Sequence, residues 1–470
     1  MSDRPSQDAL STRQSLTVGI TLFSMFFGAG NLILPPLLAL QAGTSCVPAM
    51  VGFLVAAIGL PVLGIVAVAL VGTARELTAR VHPMFSAVFV AAIYLSIGPC
   101  LAIPRTSSTA FEMLVPLLPQ GVSVGAARLL FSVAFFAAAY ALAMRPGTLT
   151  KLLGRITGPA LLVLLVMVVG SSVVAPAGVA QAPVAPYDSA APIQGFLSGY
   201  QTMDLLASLT FGIVIAENIQ ALGVTDARGV MREVSRAGVV AGALMAVVYC
   251  GLAYVGASLG TVMPDATNGA VLLTTAATLH FGLAGTVIIA AIYLLACLNV
   301  CIGLISCCGT YFAETFGAAT GTGTASTAGG ATCTGTASAT AEKGPLSRLT
   351  YPAWAAAFAI FSCFVSNFGL DAILTFSVPL LNALYPVSIL LVVMGMAHEA
   401  CDRHPLVWPW AVGVTTVVSV VTSVRDAFFA GVALPLDALP LADVGLGWVL
   451  PAACAAAVGV VVSVARPGDR

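Results

Sequence analysis

The chain has 470 residues, of which 59% are hydrophobic and only 8% are charged. Soluble domains carry about 25% charged residues, so this composition excludes a water-soluble protein of this length. The formal net charge of −1 and the lack of a basic stretch argue against a nucleic-acid partner. We therefore predict an all-α integral membrane protein that crosses the lipid bilayer several times.

Apolar windows of about 20 residues, the length that crosses a bilayer core, predict twelve transmembrane helices. With the amino terminus in the cytoplasm, all but three of the 18 Lys and Arg residues fall on the cytoplasmic side, as the positive-inside rule requires. The exceptions are Arg105, Arg128 and Arg425. Both termini are therefore expected in the cytoplasm. The predicted spans are 15–41, 47–72, 83–111, 124–145, 152–175, 194–222, 235–260, 283–312, 350–367, 371–397, 406–430 and 445–465.

The first span is interrupted near its middle by the segment Gly28–Asn31, and Pro35 and Pro36 follow. Hydrocarbon cannot satisfy peptide groups, so unwound backbone persists there only inside protein or beside a polar cavity. Discontinuous helices of this kind build substrate and ion sites in secondary transporters. The alternative is that the glycines only permit close helix packing and the prolines only bend the helix.

The sixth span is the second unusual helix, because it places Asp204 in or near the membrane. A buried charge costs about 3 kcal/mol there, so this carboxylate must be paired, protonated, near water or bound to a cation. It either locks two helices together or has a functional role. In an inverted repeat the sixth span corresponds to the first, and we predict its break at Ser208–Gly212. At two such breaks, the amino ends of the helices would attract a carboxylate and the freed carbonyl groups would bind an ammonium group. This arrangement suits a zwitterion.

Two further polar residues lie inside predicted spans. Arg105 is seven residues before Glu112, and we favour a structural ion pair between them over a role in an external gate. Asn299 fits an ion ligand and interhelical packing equally well. The eleven cysteines lack metal-site spacing and indicate packing. No enzyme motif is present, so we expect no enzyme and no cofactor. The weaker alternative is an intramembrane enzyme that uses Asp204 or Glu217.

Several motifs, in order along nearly the whole chain, resemble the bacterial branched-chain amino acid transport system II carriers. The resemblance implies a leucine-transporter-like fold with an inverted 5+5 repeat, discontinuous helices one and six, and two extra C-terminal helices. It implies import of leucine, isoleucine and valine across the bacterial inner membrane, driven by an inward sodium or proton gradient. The motifs are Phe27–Asn31 with Pro35-Pro36, Leu40–Gly43, Gly59–Leu63, Gly98-Pro99 with Ala102–Thr106, Gly199–Asp204, Phe211–Val214, Gly223–Thr225 and Asn367–Asp371.

The resemblance also implies which residues bind substrate. The two breaks would hold the carboxylate and ammonium, and aromatic and apolar groups would line the side-chain pocket. The implied substrate-binding residues are Ala29, Gly30, Asn31, Tyr94, Leu209, Thr210, Phe211 and Gly212.

The coupling ion is left open between sodium and a proton, and no other metal is expected. Sodium would bind near Ser24, Phe27, Ala296 and Asn299, whereas a proton would be carried near Asp204. Val300 stands where this architecture typically has a hydroxyl, which leaves sodium coupling unsettled. A cation-coupled carrier of another small solute on the same fold is the alternative function.

The predicted organisation is a transporter core between two short tails. Residues 1–14 and 466–470 form cytoplasmic tails, and 15–397 form the core, with repeats at about 15–175 and 194–397. Residues 406–465 form two peripheral transmembrane helices. The Gly, Ala, Thr and Ser-rich segment at about 317–348 is predicted to be a flexible cytoplasmic loop, because it cannot bury enough apolar surface to order itself.

Overall fold

A computed structural model describes residues 9–119, 121–145, 153–316, 350–429, 432 and 434–465. Within these ranges the chain is helical and contains no β-strand. The predicted flexible loop lies outside the described residues, as do the C-terminal tail and most of the N-terminal tail.

The α-helices alternate with short turns of other helix types. Five-residue π-helical turns at Val55–Gly59, Ser96–Cys100 and Leu153–Thr157 lie between or before longer helices. The α-helices in chain order are α1 (Thr12–Phe26), α2 (Ala29–Ala42), α3 (Cys46–Leu54), α4 (Leu60–Val71), α5 (Ala74–Ala79), α6 (Pro83–Leu95), α7 (Ala102–Glu112), α8 (Val124–Ala143), α9 (Gly158–Val174), α10 (Tyr187–Tyr200), α11 (Asp204–Ala221), α12 (Ala227–Ser258), α13 (Gly269–Phe281), α14 (Leu283–Phe316), α15 (Tyr351–Ser366), α16 (Leu370–Met396), α17 (His398–Asp402), α18 (Val407–Phe428) and α19 (Val449–Ala465).

Eight helical stretches of the described chain are long and apolar enough to cross a membrane. Each window predicted from the sequence contains helix, and the shorter apolar helices α15 and α19 lie in the ninth and twelfth windows. Helix α13 lies between the seventh and eighth windows, where no span was predicted. The multi-pass, all-α character of the protein is therefore confirmed. The eight stretches are Ala29–Val71, Pro83–Leu117, Val124–Ala143, Leu153–Val174, Arg228–Ser258, Leu283–Phe316, Ala372–Met396 and Val407–Phe428.

The interruption predicted in the first span is confirmed. A capping box at Ser11 and Gln14 starts α1, which ends at Phe26. Phe27 and Gly28 then leave the helical conformation, with φ/ψ of −75°/92° and −122°/−160°. The segment Ala29–Asn31 forms the first turn of α2, so its backbone N–H groups lack the partners that an unbroken helix would provide.

The break predicted at Ser208–Gly212 in the sixth span is wrong in position. The chain leaves the helix at Gln201–Met203, between α10 and α11, and Met203 adopts a left-handed conformation with φ of 65°. Residues 208–212 lie inside the uninterrupted α11. Gly212 serves helix packing, because a Cβ there would lie 3.3 Å from Cγ1 of Val68 on α4.

Close backbone contacts hold α2 against its neighbours. A Cβ at Gly256 on α12 would lie 2.0 Å from the carbonyl oxygen of Pro36. A Cβ at Gly269, where α13 begins, would lie 1.9 Å from the carbonyl oxygen of Ile33. Only glycine permits this close approach of the two backbones. Helices α12 and α13 therefore hold α2 in place, and with it the amino end of α2 that faces the protein interior.

The Gly256→Ala variant tests this contact, and Gly170→Ala on α9 is the control, because a Cβ at Gly170 has no neighbour within 4 Å. We expect Gly256→Ala to lower the free energy of unfolding by about 1–3 kcal/mol through overpacking. Thermal unfolding in detergent, followed by size-exclusion chromatography, measures the difference. Equal stability of the two variants would contradict the close packing of α2 on α12.

Candidate functional site

The two helix interruptions border one small cavity, in which about 40 Å³ is accessible to the centre of a water molecule. The first span, the third span, the sixth span and α14 all contribute to its walls. Peptide groups from both breaks therefore border the same space. The lining residues are Met25, Phe26, Gly28, Ala29, Gly30, Asn31, Ile97, Ala102, Arg105, Thr106, Thr202, Met203, Asp204, Ala207, Phe211, Val300 and Leu304.

Asp204, in the first turn of α11, is 2% exposed and lies at the centre of a hydrogen-bond network. Its Oδ2 accepts hydrogen bonds from Nδ2 of Asn31 (2.9 Å) and from the hydroxyl of Tyr249 (3.3 Å). The Asn31 Nδ2 also lies within hydrogen-bond distance of the Tyr249 oxygen (2.7 Å) and of the Phe26 carbonyl oxygen (3.1 Å), so its two hydrogens are shared among three acceptors. Asp204 therefore links α11 to both α2 and α12 by hydrogen bonds and at the same time borders the cavity.

Tyr249 is a member of this network that the sequence did not identify. It lies in the middle of α12 and is completely buried. Its ring packs against Phe27 and Phe53, with centroid distances of 6.1 Å and 5.3 Å. A tyrosine in an apolar span is unremarkable in sequence, and only the packing of α12 against α1 and α2 brings its hydroxyl to Asp204.

Arg105 lies at the cavity and not in the ion pair predicted for it. Its Nη1 donates a 2.9 Å hydrogen bond to the carbonyl oxygen of Gln201, in the linker between α10 and α11. Glu112 instead pairs with Arg128 of α8, at 3.2 Å. The predicted pair fails because residues seven apart on one helix are separated by about 10.5 Å of rise, and only partners three or four residues apart meet.

Some of the predicted substrate-binding residues border the cavity. Ala29, Gly30, Asn31 and Phe211 do so, and the Phe211 ring lies 5.4 Å from that of Phe26.

The other predicted substrate-binding residues are not among the cavity's described lining residues. Leu209, Thr210 and Gly212 face other parts of the interior, and the Thr210 hydroxyl donates to the Ala207 carbonyl oxygen within α11. Tyr94 stacks on Tyr311, with ring centroids 3.9 Å apart.

The residues expected for sodium do not line this cavity either, within the described part of the chain. The hydroxyl of Ser24 donates to the carbonyl oxygen of Leu153 (3.2 Å), and Phe27 lies in the break itself. Asn299 and Ala296 are buried in α14. Neither the oxygen nor the nitrogen of the Asn299 side chain has a hydrogen-bond partner among the described residues.

The described residues contain no group of three or more His, Cys, Asp or Glu side chains that could hold a metal ion. The side chain of Glu217, considered above as part of an enzyme site, lies outside what the structure describes.

A second and larger cavity, in which about 340 Å³ is accessible to the centre of a water molecule, lies beyond the linker of the sixth span. Tyr200 and Gln201 border it, whereas Thr202 and Met203 border the smaller cavity. Helices α16 and α18 and the segment before α19 supply its other walls. The linker Gln201–Met203 therefore separates two spaces.

The fold is shared with a solved transporter. Mhp1, a nucleobase-cation-symport-1 family transporter in a closed conformation with bromovinylhydantoin bound, aligns over 97% of this chain and 94% of its own, with a TM-score of 0.56. The sequences are 13% identical, so the likeness shows the fold alone. It confirms the leucine-transporter-like fold that the sequence resemblance implied.

Sequence comparison gives the family. The branched-chain amino acid permease BraB of Bacillus subtilis (strain 168) is 33% identical over 460 residues, 97% of this chain and 96% of that protein. The branched-chain amino acid transport system 2 carrier protein of Pseudomonas aeruginosa is 35% identical over 449 residues, 95% of each chain. A family model described as "Branched-chain amino acid transport protein" matches residues 11–320 and 323–466. The chain therefore belongs to the branched-chain amino acid transport protein family.

Proposed function

We propose that the protein imports branched-chain amino acids across the bacterial cytoplasmic membrane by secondary active transport. The observation that carries the proposal is the meeting of two helix interruptions at one cavity. There α2 presents the backbone N–H groups of Ala29–Asn31, and α11 presents the carboxylate of Asp204. The amino end of a helix carries a partial positive charge that attracts a carboxylate, and a buried carboxylate attracts an ammonium group. The two together suit a substrate that carries one negative and one positive charge. The names of the relatives supply the substrate class.

The apolar part of the cavity accounts for a shared site for leucine, isoleucine and valine. Phe26 and Phe211 lie next to each other in its wall, and Ile97, Val300 and Leu304 add aliphatic surface. Such a pocket discriminates one methylene by only about 1–3 kcal/mol. Three substrates that differ by a methyl group or by branching are therefore expected to compete for it.

The proposed architecture has twelve transmembrane spans with both termini in the cytoplasm. Residues 15–397 form the core, whose two repeats are inverted relative to each other, and 406–465 form two peripheral helices. In support of this division, the interruptions Phe27–Gly28 and Gln201–Met203 fall in the first and sixth predicted spans. Alternating access would then arise from movement of these broken helices about the cavity.

An inward gradient of sodium or protons is proposed to drive uptake. Asp204 is the candidate for carrying a proton, and Asn299 is the candidate ligand for sodium. Asp204, held by Asn31 and Tyr249, is a carboxyl group that a proton can occupy. Asn299 offers a buried amide oxygen with no partner among described residues, and an amide oxygen is a suitable ligand for a hard cation. Substitution at each position separates the two cases.

Uptake of radiolabelled leucine into proteoliposomes tests the function. We expect accumulation above the external concentration when an inward sodium or proton gradient is imposed, and none without a gradient, because the transport is secondary active. Unlabelled isoleucine and valine should compete. Absence of uptake under both gradients, or stronger competition by an unrelated solute than by these amino acids, would contradict the proposal.

Asp204→Asn and Asn299→Ala identify the coupling ion. Under proton coupling, Asp204→Asn should abolish accumulation driven by a proton gradient, because asparagine keeps the shape but carries no titratable proton. Under sodium coupling, Asn299→Ala should raise the sodium concentration needed for half-maximal uptake by about tenfold, the loss of one ligand to a charged group.

The matched controls lie outside the cavity. Glu112→Gln removes a carboxylate that pairs with Arg128, and Asn367→Ala removes an amide that bonds to Ser132. Both should keep the coupling of the wild-type protein. If these controls lose coupling as severely as Asp204→Asn and Asn299→Ala, neither Asp204 nor Asn299 is the coupling residue.

A further inference from the structure

Arg105 is a buried cation that borders the cavity. The residue is 4% exposed, and no carboxylate forms an ion pair with it in the described ranges of the chain. Asp204 borders the same cavity and its negative charge acts on Arg105 through space, but its side-chain hydrogen bonds go to Asn31 and Tyr249 and not to the guanidinium. Burying a guanidinium without a directly bonded carboxylate is costly, and the carboxylate of a ligand would supply that bonded negative charge.

The guanidinium has one edge engaged and one edge free. Nη1 donates to the carbonyl oxygen of Gln201, and this is the one hydrogen bond that Arg105 makes to described residues. Nε has no partner among them. Nε and Nη2 form the side-on edge of a guanidinium, which donates two parallel hydrogen bonds to a carboxylate. The free edge therefore has the donor pattern that an amino acid's carboxylate requires.

The free edge lies next to the first turn of α2. A Cβ at Gly30 would lie 2.8 Å from Nη2 of Arg105 and 3.3 Å from its Cζ. The absence of a side chain at Gly30 thus lets the guanidinium approach the turn whose N–H groups have no helical partners. An anion held by Arg105 at this point also lies at the positive end of α2, and the two contributions add.

We infer that Arg105 is the receptor for the substrate's carboxylate, and that Asp204 receives its ammonium. The inference rests on the proposed function and deepens it, because the site then recognises both charged groups of an α-amino acid through side chains. A substrate analogue without the carboxylate loses the contact with Arg105 and keeps the contact with Asp204. Recognition of the carboxylate is therefore separable by experiment from recognition of the ammonium and the aliphatic chain.

The experiment compares leucine with leucinamide, which keeps the ammonium and the side chain but has a neutral amide in place of the carboxylate. Competition of each against radiolabelled leucine is measured on the purified full-length protein. We expect the wild-type protein to prefer leucine by about tenfold or more, the effect of a hydrogen bond to a charged group. In Arg105→Gln the ratio of leucine affinity to leucinamide affinity should fall towards one, because leucine loses the contact between its carboxylate and Arg105 and leucinamide has no such contact to lose.

Two further variants distinguish a binding role from a structural one. Arg105→Lys keeps the charge but not the paired donors, so an intermediate preference is expected. Gly30→Ala keeps the arginine but displaces its Nη2, and the preference for leucine should again fall. Arg128→Gln is the control: this arginine pairs with Glu112 outside the cavity, and the wild-type preference should remain.

The outcomes separate this inference from the proposed function. If Arg105→Gln and Gly30→Ala bind leucine with the wild-type preference over leucinamide, Arg105 is not the carboxylate receptor, and the proposed transport function stands. If Arg105→Gln does not fold, the preference for leucine over leucinamide is measured in Gly30→Ala and Arg105→Lys instead, and a wild-type preference in both again means that Arg105 is not the carboxylate receptor. If the wild-type protein does not bind leucine, both the proposed function and this inference are overturned.

Discussion

The site depends on the hydrogen bonds of one side-chain amide, that of Asn31. It contacts the carbonyl oxygen of Phe26 at the end of α1, the carboxylate of Asp204 at the start of α11, and the hydroxyl of Tyr249 in the middle of α12. Hydrocarbon offers no water to replace these partners, so two broken helices persist at membrane depth only while such groups satisfy each other. One residue thus holds both interruptions in register and keeps Asp204 at the cavity wall.

The positions of the helices were predictable, and the positions of the breaks only in part. Apolar length determines where helices lie, and every predicted window contains one. The glycines at 28 and 30 correctly marked the first break. In the sixth span, Gly212 gave a wrong position for the second break, because this glycine lies in continuous helix against Val68. The observed break at Gln201–Met203 contains neither glycine nor proline. Glycine serves both close packing and unwinding, and sequence alone does not separate the two uses.

The candidate site was predictable where a polar residue stands out against apolar neighbours along the chain. Asn31 and Asp204 stand out in this way, and both line the cavity. Tyr249 does not, because a tyrosine is ordinary in a membrane helix. Arg105 stood out, but its partner was misassigned: the spacing within α7 gave no sign that Arg128 of α8 neutralises Glu112. Contacts between helices that are distant in sequence determine which charges pair, and a single sequence does not reveal those contacts.

The left-handed conformation of Met203 has a consequence for movement. A residue other than glycine in this conformation costs about 1–3 kcal/mol and persists only when its surroundings hold it. Met203 belongs to the three-residue linker that borders both cavities, and Arg105 holds one end of this linker through the carbonyl oxygen of Gln201. A change of torsion angles in these few peptide units would alter the angle between α10 and α11 without unfolding either helix, because the linker is the non-helical segment that joins them.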